Sequence, residues 1–367
     1  MLKWLFVPVI LAGVVRAGGI GMSVEKFTIS RDDRTYECFP SLTRLTSGRI
    51  VLTYRESDSH KAKDYTRIIV RVSDDDGKTF SDRRVLVESK QEGGVLAKWN
   101  CPKVQQLKDG RVLLLCDVYP HPPGEAGKGG AKSMIVLYFS ADNGDTWSAP
   151  QETTVGGIMP DEVVEMDNGD WLLATHRKCK ATGNAEQIVS LSKDKGKTWD
   201  APVVIASRKG YDFCEASIIK LPGGEFVCYM RENTGKGRPI YKCISTDNGV
   251  TWRGPFQTLM DAGHRPVAHL TKSGKVMITY RHQPGGHGNW AKNTFAFIES
   301  VASALEEDRK KQSGTVLPLD HDRSPHSDGG YTGWVETSPG CFLVVNYIVD
   351  DAPKAQIRGY RIDESAF

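Results

Sequence analysis

The stretch Ser73-Asp74-Asp75-Asp76-Gly77-Lys78-Thr79-Phe80 returns three times along the chain. The other copies are Ser140-Ala141-Asp142-Asn143-Gly144-Asp145-Thr146-Trp147, Ser192-Lys193-Asp194-Lys195-Gly196-Lys197-Thr198-Trp199 and Ser245-Thr246-Asp247-Asn248-Gly249-Val250-Thr251-Trp252. Each reads as a hairpin turn. The Ser and Asp side chains bond local backbone N–H groups, Gly supplies positive φ, and the ring pins the turn to the strands below. Working outward, a second repeat is interleaved with the first. An apolar run reaches a glycine turn and restarts at Gly48, Gly110, Gly169, Gly224, Gly274 and Gly340, and these glycines lie 50 to 66 residues apart. Each unit therefore holds two strands around its glycine turn and two around the Asp-containing turn. Six four-stranded units in series predict an all-β, six-bladed β-propeller. Val24–Ser30 is expected to supply the outer strand of the last blade and close the ring. Ala302–Gln312, in blade five where the Asp turn is missing, reads as the one helical segment.

Composition agrees with a turn-rich globular protein. The 367 residues are 39% hydrophobic and 25% charged, with 37 glycines and 8 tryptophans, which excludes a disordered chain. With 48 basic against 45 acidic residues and no long Lys/Arg run, nucleic acid is not an expected partner. Residues 1–21 carry Lys3, an apolar run from Trp4 to Val15 and a small-residue cut near Ala17. They are expected to be a secretory signal peptide, leaving a propeller over 22–367 outside the cytoplasm, secreted or periplasmic. No transmembrane span is expected. The eight scattered cysteines form no CxxC pair and are expected to be buried thiols.

These turns and blades, over residues 24–367, resemble the sialidase (neuraminidase) superfamily, where the Asp turns are known as Asp boxes or BNR repeats. The resemblance implies that the functional residues stand where inner strands begin and second strands end. Glu215 and Arg231, eight residues either side of Gly223, are expected to face each other across the blade-four hairpin. By resemblance Glu215 activates a tyrosine nucleophile, Arg231 and Arg265 grip the substrate carboxylate, and Tyr331, opening blade six, is that tyrosine. A phenol suits such a substrate, because an anionic nucleophile would be repelled by a carboxylate on the anomeric carbon.

Two departures accompany this likeness. Cys38 stands where the superfamily has the first-blade Arg, and Asn346-Tyr347-Ile348 lacks the Glu that orients it. Arg55 and the acidic loop after it resemble the superfamily's acid/base loop, leaving Asp58, Asp64 and His60 as rival proton donors. Glu37 is placed at the channel mouth, and Asp161, Glu162, His176 and His282 are further pocket candidates. The histidines at 282, 287, 321 and 326 lack HExxH-like spacing, so no metal or other cofactor is expected. The sequence thus points to a retaining exo-glycosidase taking a glycan that ends in a sialic acid or another acidic sugar. A glycosidase for a different sugar and a non-catalytic binding propeller are the alternatives.

Overall fold

The computed structural model describes residues 24–90, 97–119, 133–284 and 291–367; the segment read as an export signal, and His287, lie outside the described residues. Six antiparallel four-stranded sheets follow one another along the chain. The inner strands are Tyr36–Arg44, Lys98–Gln106, Val164–Glu165, Phe213–Lys220, Gly263–Leu270 and Gly329–Ser338. Five blades take their four strands in sequence. The sixth takes three and borrows Glu25–Ser30, which pairs with Gln356–Asp363. The ring is closed as expected.

The turns explain the repeat. All six glycines between first and second strands have φ between +74° and +96°, a conformation that a Cβ penalises. In the first Asp turn, Ser73 Oγ accepts from the Gly77 N–H at 2.9 Å, and Asp75 accepts from the Thr79 N–H at 2.9 Å and the Thr79 hydroxyl at 2.6 Å. The turns at 140, 192 and 245 repeat these bonds. Each joins a third strand to the outermost one, so all four sit on the rim, away from the axis. The expected helix is shorter than the sequence suggested. Val301–Leu305 is one capped turn, Arg309–Lys311 is a 3-10 turn, and together they fill the corner where blade five lacks its Asp turn.

The apolar core lies between blades. Six clusters of buried side chains each draw chiefly on two adjacent sheets; one joins Val51 and Val70 of blade one to Val104, Val112 and Leu114 of blade two. Second strands such as Ile50–Ser57 and Phe226–Glu232 are therefore buried along their whole length, since both faces meet a neighbouring blade. Side chains near the axis stitch the inner strands together. Ser41 accepts from the Val104 N–H, Gln105 bonds both ways with Val163, and Ser217 accepts from the Ala268 N–H. The eight cysteines are all free, and six are buried. Among the described residues no helix is long and apolar enough to cross a membrane.

Candidate active site

Every inner strand is interrupted near its start. In blades one, two, four, five and six, two residues of the inner strand oppose one of the second strand, which is a β-bulge. Blade three has the same break just before its short inner strand. The first residue of each interruption has positive φ: Phe39, Cys101, Met159, Glu215, Arg265 and Gly330. Proline follows in four blades, at Pro40, Pro102, Pro160 and Pro266, while Ala216 and Tyr331 take that place in the other two. The bulge turns these side chains toward the axis. Phe39, Met159 and Glu215 among them line a cavity of about 350 Å³, together with Arg55, His60, Lys61, Lys98, Asn100, Tyr119, Ile158, His176, Asn233 and Tyr331. Two larger clefts, of about 710 and 490 Å³, lie at the outer surface and share none of these residues.

Tyr331, Glu215 and Arg231 meet in one buried triangle. The Tyr331 hydroxyl donates to Glu215 at 2.7 and 2.8 Å, and Arg231 Nη1 donates to the phenol oxygen at 2.8 Å and to both Glu215 oxygens at 3.0 and 2.9 Å. Blades four and six, 116 positions apart in sequence at these residues, are thus joined across the axis. The pairing differs from simple counting: Cys214, not Glu215, lies opposite Arg231. The bulge re-aims Glu215, whose φ is +50°, to the face that Arg231 occupies. Burial opposes charge on Glu215, but Arg231 and then Arg265 outweigh it and hold the carboxyl at about 2. Burial, reinforced by the Glu215 charge, raises the Tyr331 phenol despite Arg231 and Arg281. The resting pair is therefore a neutral phenol donating to a carboxylate. His176 accepts from the Glu215 backbone N–H at 3.3 Å, and burial lowers it to about 4, so it stands neutral beneath the pair.

The remaining candidates separate into those that reach the cavity and those that do not. Arg55 lines it, stacked 4.6 Å from the Phe39 centroid, donating to Asn100 Oδ1 and to the His60 carbonyl, both at 2.6 Å. His60 is exposed at the cavity wall, with its ring 5.5 Å from that of Phe39. Asp58 lies outside the lining. Its carboxylate accepts from the Lys63 and Asp64 N–H groups at 2.7 and 3.1 Å, which shapes the loop and leaves it facing its own backbone. Arg265 is buried beneath the cavity, donating to the carbonyls of Met159 and Pro160 at 3.4 and 3.1 Å. It acts on Glu215 through its charge.

Three candidates are corrected by strand alternation. Asp161 follows the blade-three break and points between blades. It accepts from the Ile218 N–H at 2.8 Å and lies 3.9 Å from the buried Lys103 ammonium. His282 stacks on Phe295 at 4.5 Å, on the side away from the pocket; its neighbour Arg281 turns inward instead, 4.2 Å from the Tyr331 ring centroid. Glu37 lies not at the channel mouth but on the opposite face of the strand from Cys38, directly across from Glu56, and it borders one of the outer clefts.

Burial raises the Glu37 carboxyl to about 7, against the bond from Ser30. A carboxyl raised on folding stabilises below its unfolded value and loses that contribution as pH climbs through the folded one. A rise from 4.5 to about 7 corresponds to roughly 3 kcal/mol. Glu37→Gln should therefore be more stable than the parent above pH 7, by up to about that amount, and gain little below pH 5. Denaturant melts at pH 5 and pH 8 would check this, and an equal effect at both would place the burden elsewhere.

Arg281 and Asp328 belong to the site and escaped the sequence reading. Asp328, just before the blade-six inner strand, is a buried carboxylate. It accepts from Tyr36, from Tyr347 at 3.1 Å, from Arg281 at 3.4 Å and from Lys292 at 3.2 Å, and it contacts His60 Nδ1 at 2.6 Å. Burial favours its acid form, yet His60, Arg281 and Lys292 hold it far below the usual carboxylate range. The Cys38 thiol, where the superfamily has an arginine, is pushed up by burial to about 12 and carries no charge. Among the described residues no group of three or more His, Cys, Asp and Glu side chains could hold a metal ion.

The fold and this pocket define a six-bladed propeller of the sialidase type. The BNR repeat-like domain family matches residues 82–293, and the chain belongs to it. A sialidase of Bacteroides fragilis is 30% identical over 141 residues, which is 35% of this chain and 24% of that protein; the chain thus matches about a quarter of its curated relative's length. A solved protein of unknown function from Dyadobacter fermentans superposes with a TM-score of 0.74 at 22% identity, covering 92% of this chain and 98% of that one. The intramolecular trans-sialidase from Ruminococcus gnavus gives a TM-score of 0.67 at 15% identity, over 90% and 95% of the two chains. The structural likenesses extend to the fold.

Proposed function

We propose that this chain is a retaining exo-glycosidase that removes a terminal acidic sugar from glycans, with Tyr331 as nucleophile and Glu215 as its base. The observation that carries the reading is the Tyr331–Glu215–Arg231 triangle at the cavity floor. Glu215, already a carboxylate, accepts the phenolic proton as the phenol oxygen attacks the anomeric carbon, and Arg231 stabilises the oxygen while it carries charge. Glu215 is the one carboxylate among the described lining residues, against Arg55, Lys61 and Lys98. That balance supports an anionic sugar, whose carboxylate would meet the cationic wall. The apolar segment Trp4–Val15 supports action outside the cytoplasm.

A second reading, a sugar without that carboxylate, is favoured by the uncharged Cys38 and by the carbonyls that occupy Arg265. One experiment serves both. Purified protein is screened against chromogenic sialosides, uronides and neutral glycosides, and the best substrate class is then used as a fluorinated, activated analogue that stalls the intermediate. Mass spectrometry should find one sugar on the peptide containing Tyr331. Turnover with the sugar attached to another residue would overturn the nucleophile assignment, and binding without turnover would make this a lectin-like propeller.

A further inference from the structure

Resting on the glycosidase reading above, we propose that His60 is the acid/base of the reaction and that Asp328 positions it. Of the three proton donors that the blade-one loop offers, only His60 lines the cavity that Tyr331 lines. The Asp58 carboxylate is held by the Lys63 and Asp64 N–H groups and by Ser59, and Asp64 is exposed and is not among the residues that line the cavity. His60 is fixed at several points. Its ring packs edge-on against Tyr36 and Phe39, with centroids 6.2 and 5.5 Å away, and its carbonyl accepts from Arg55 at 2.6 Å. Its Nδ1 lies 2.6 Å from Asp328 Oδ2.

The chemistry of Asp328 decides the tautomer. Its other partners, Tyr36, Tyr347, Arg281 and Lys292, are all donors to it, so it is an acceptor and His60 Nδ1 carries a proton. Nε2 is left for the cavity. This is the arrangement in which a carboxylate behind an imidazole sets the tautomer and steadies the imidazolium. Phe39 lies between the two halves of the site, its ring 5.5 Å from Tyr331 on one side and 5.5 Å from His60 on the other.

The steps balance as follows. Tyr331 passes its proton to Glu215 while its oxygen bonds to the anomeric carbon. The bond from that carbon to the leaving oxygen breaks, its electron pair goes to that oxygen, and the imidazolium Nε2 supplies the proton. In the second half, water attacks the anomeric carbon and yields its proton to Nε2. The carbon–phenol bond breaks, and Glu215 returns the proton to Tyr331. The net reaction is hydrolysis with retention, and both proton donors are restored.

The test compares aglycones. His60 is exposed, so His60→Gln is expected to fold. Its kcat/KM on a glycoside with a sugar aglycone should fall by about 10²–10⁴. On the matching 4-nitrophenyl glycoside, whose leaving group needs no proton, the fall should stay within about tenfold. Azide should then restore kcat on the nitrophenyl substrate and give the glycosyl azide. Equal losses on both aglycones, or none on either, would overturn the assignment. For Asp328, ¹⁵N spectra of the histidine rings should show His60 protonated at Nδ1 in the parent and redistributed in Asp328→Asn; an Nε2–H tautomer in the parent would overturn the positioning role. Tyr331→Phe separates the two layers, since its loss should be the same on both aglycones. An active Tyr331→Phe beside an aglycone-dependent His60→Gln would sink the nucleophile and keep the acid. Absence of turnover on every glycoside would remove the reading beneath and this inference with it.

Discussion

Tyr331→Phe is expected to abolish turnover, with a loss on the order of 10³-fold or more in kcat, while the protein keeps its fold. The substitution removes one oxygen from a buried triangle. Arg231 and Glu215 stay paired at 2.9 Å, so no charge is left alone. Glu215→Gln should cost activity by a comparable amount, because an amide cannot take the phenolic proton. It should also cost stability, since Arg231 would then be buried without its carboxylate, a change typically worth 3–5 kcal/mol. Members of one catalytic unit do not add, and the double variant should be little worse in turnover than Tyr331→Phe alone. Steady-state kinetics beside a denaturant melt separates the two effects. Full activity in Tyr331→Phe would end the nucleophile assignment, and additive losses would mean that the two side chains meet substrate independently.

Asp161→Ala should do the opposite, lowering stability by about 3–5 kcal/mol with little change in KM for the folded fraction. Asp161 and Lys103 are each about 3% exposed and 3.9 Å apart, and the Ile218 N–H also depends on the Asp161 carboxylate. Truncating the acid leaves the buried Ile218 amide without its acceptor and takes a neighbouring negative charge away from the buried Lys103. Asp161→Asn, which keeps an oxygen for Ile218, should recover part of the loss. Normal stability with weakened substrate binding would return Asp161 to the pocket and contradict its placement between blades.

The contrast between these two residues shows where the sequence was readable. Turn chemistry is local, so four Asp turns and six glycine turns declared blade number, ring closure and the strand ends from which Glu215, Arg231 and Tyr331 project. Which face a strand-end side chain takes depends on an inserted residue, and a single insertion exchanges inward for outward. Asp161 was misplaced for that reason, Glu37 and His282 by the alternation of side chains alone, and Arg281, one position from His282, was passed over. The recurring residue–proline pairs at Phe39-Pro40, Cys101-Pro102, Met159-Pro160 and Arg265-Pro266 were the available signal. They mark the same break in blades one, two, three and five. Asp328 offered no such signal. Its role comes from a ring of donors contributed by separate parts of the chain, which only the folded ring assembles.

The pairing of Glu25–Ser30 with Gln356–Asp363 also sets an order of events on the ribosome. Glu215 and Arg231 emerge more than a hundred residues before Gln356–Asp363, and their hairpin can form while synthesis continues. Until Gln356–Asp363 has been made, however, Glu25–Ser30 has no strand to pair with, and the first and last blades are joined by side-chain packing without a shared sheet. The distances across the axis from Glu215 to Tyr331 and from His60 to Asp328 then rest on those side-chain contacts without the sheet that closes the ring. A chain released between Tyr331 and Gln356 carries the residues of the site without the strand that closes the ring around them. Synthesis must therefore pass Asp363 before the ring can close and the site can take its final geometry.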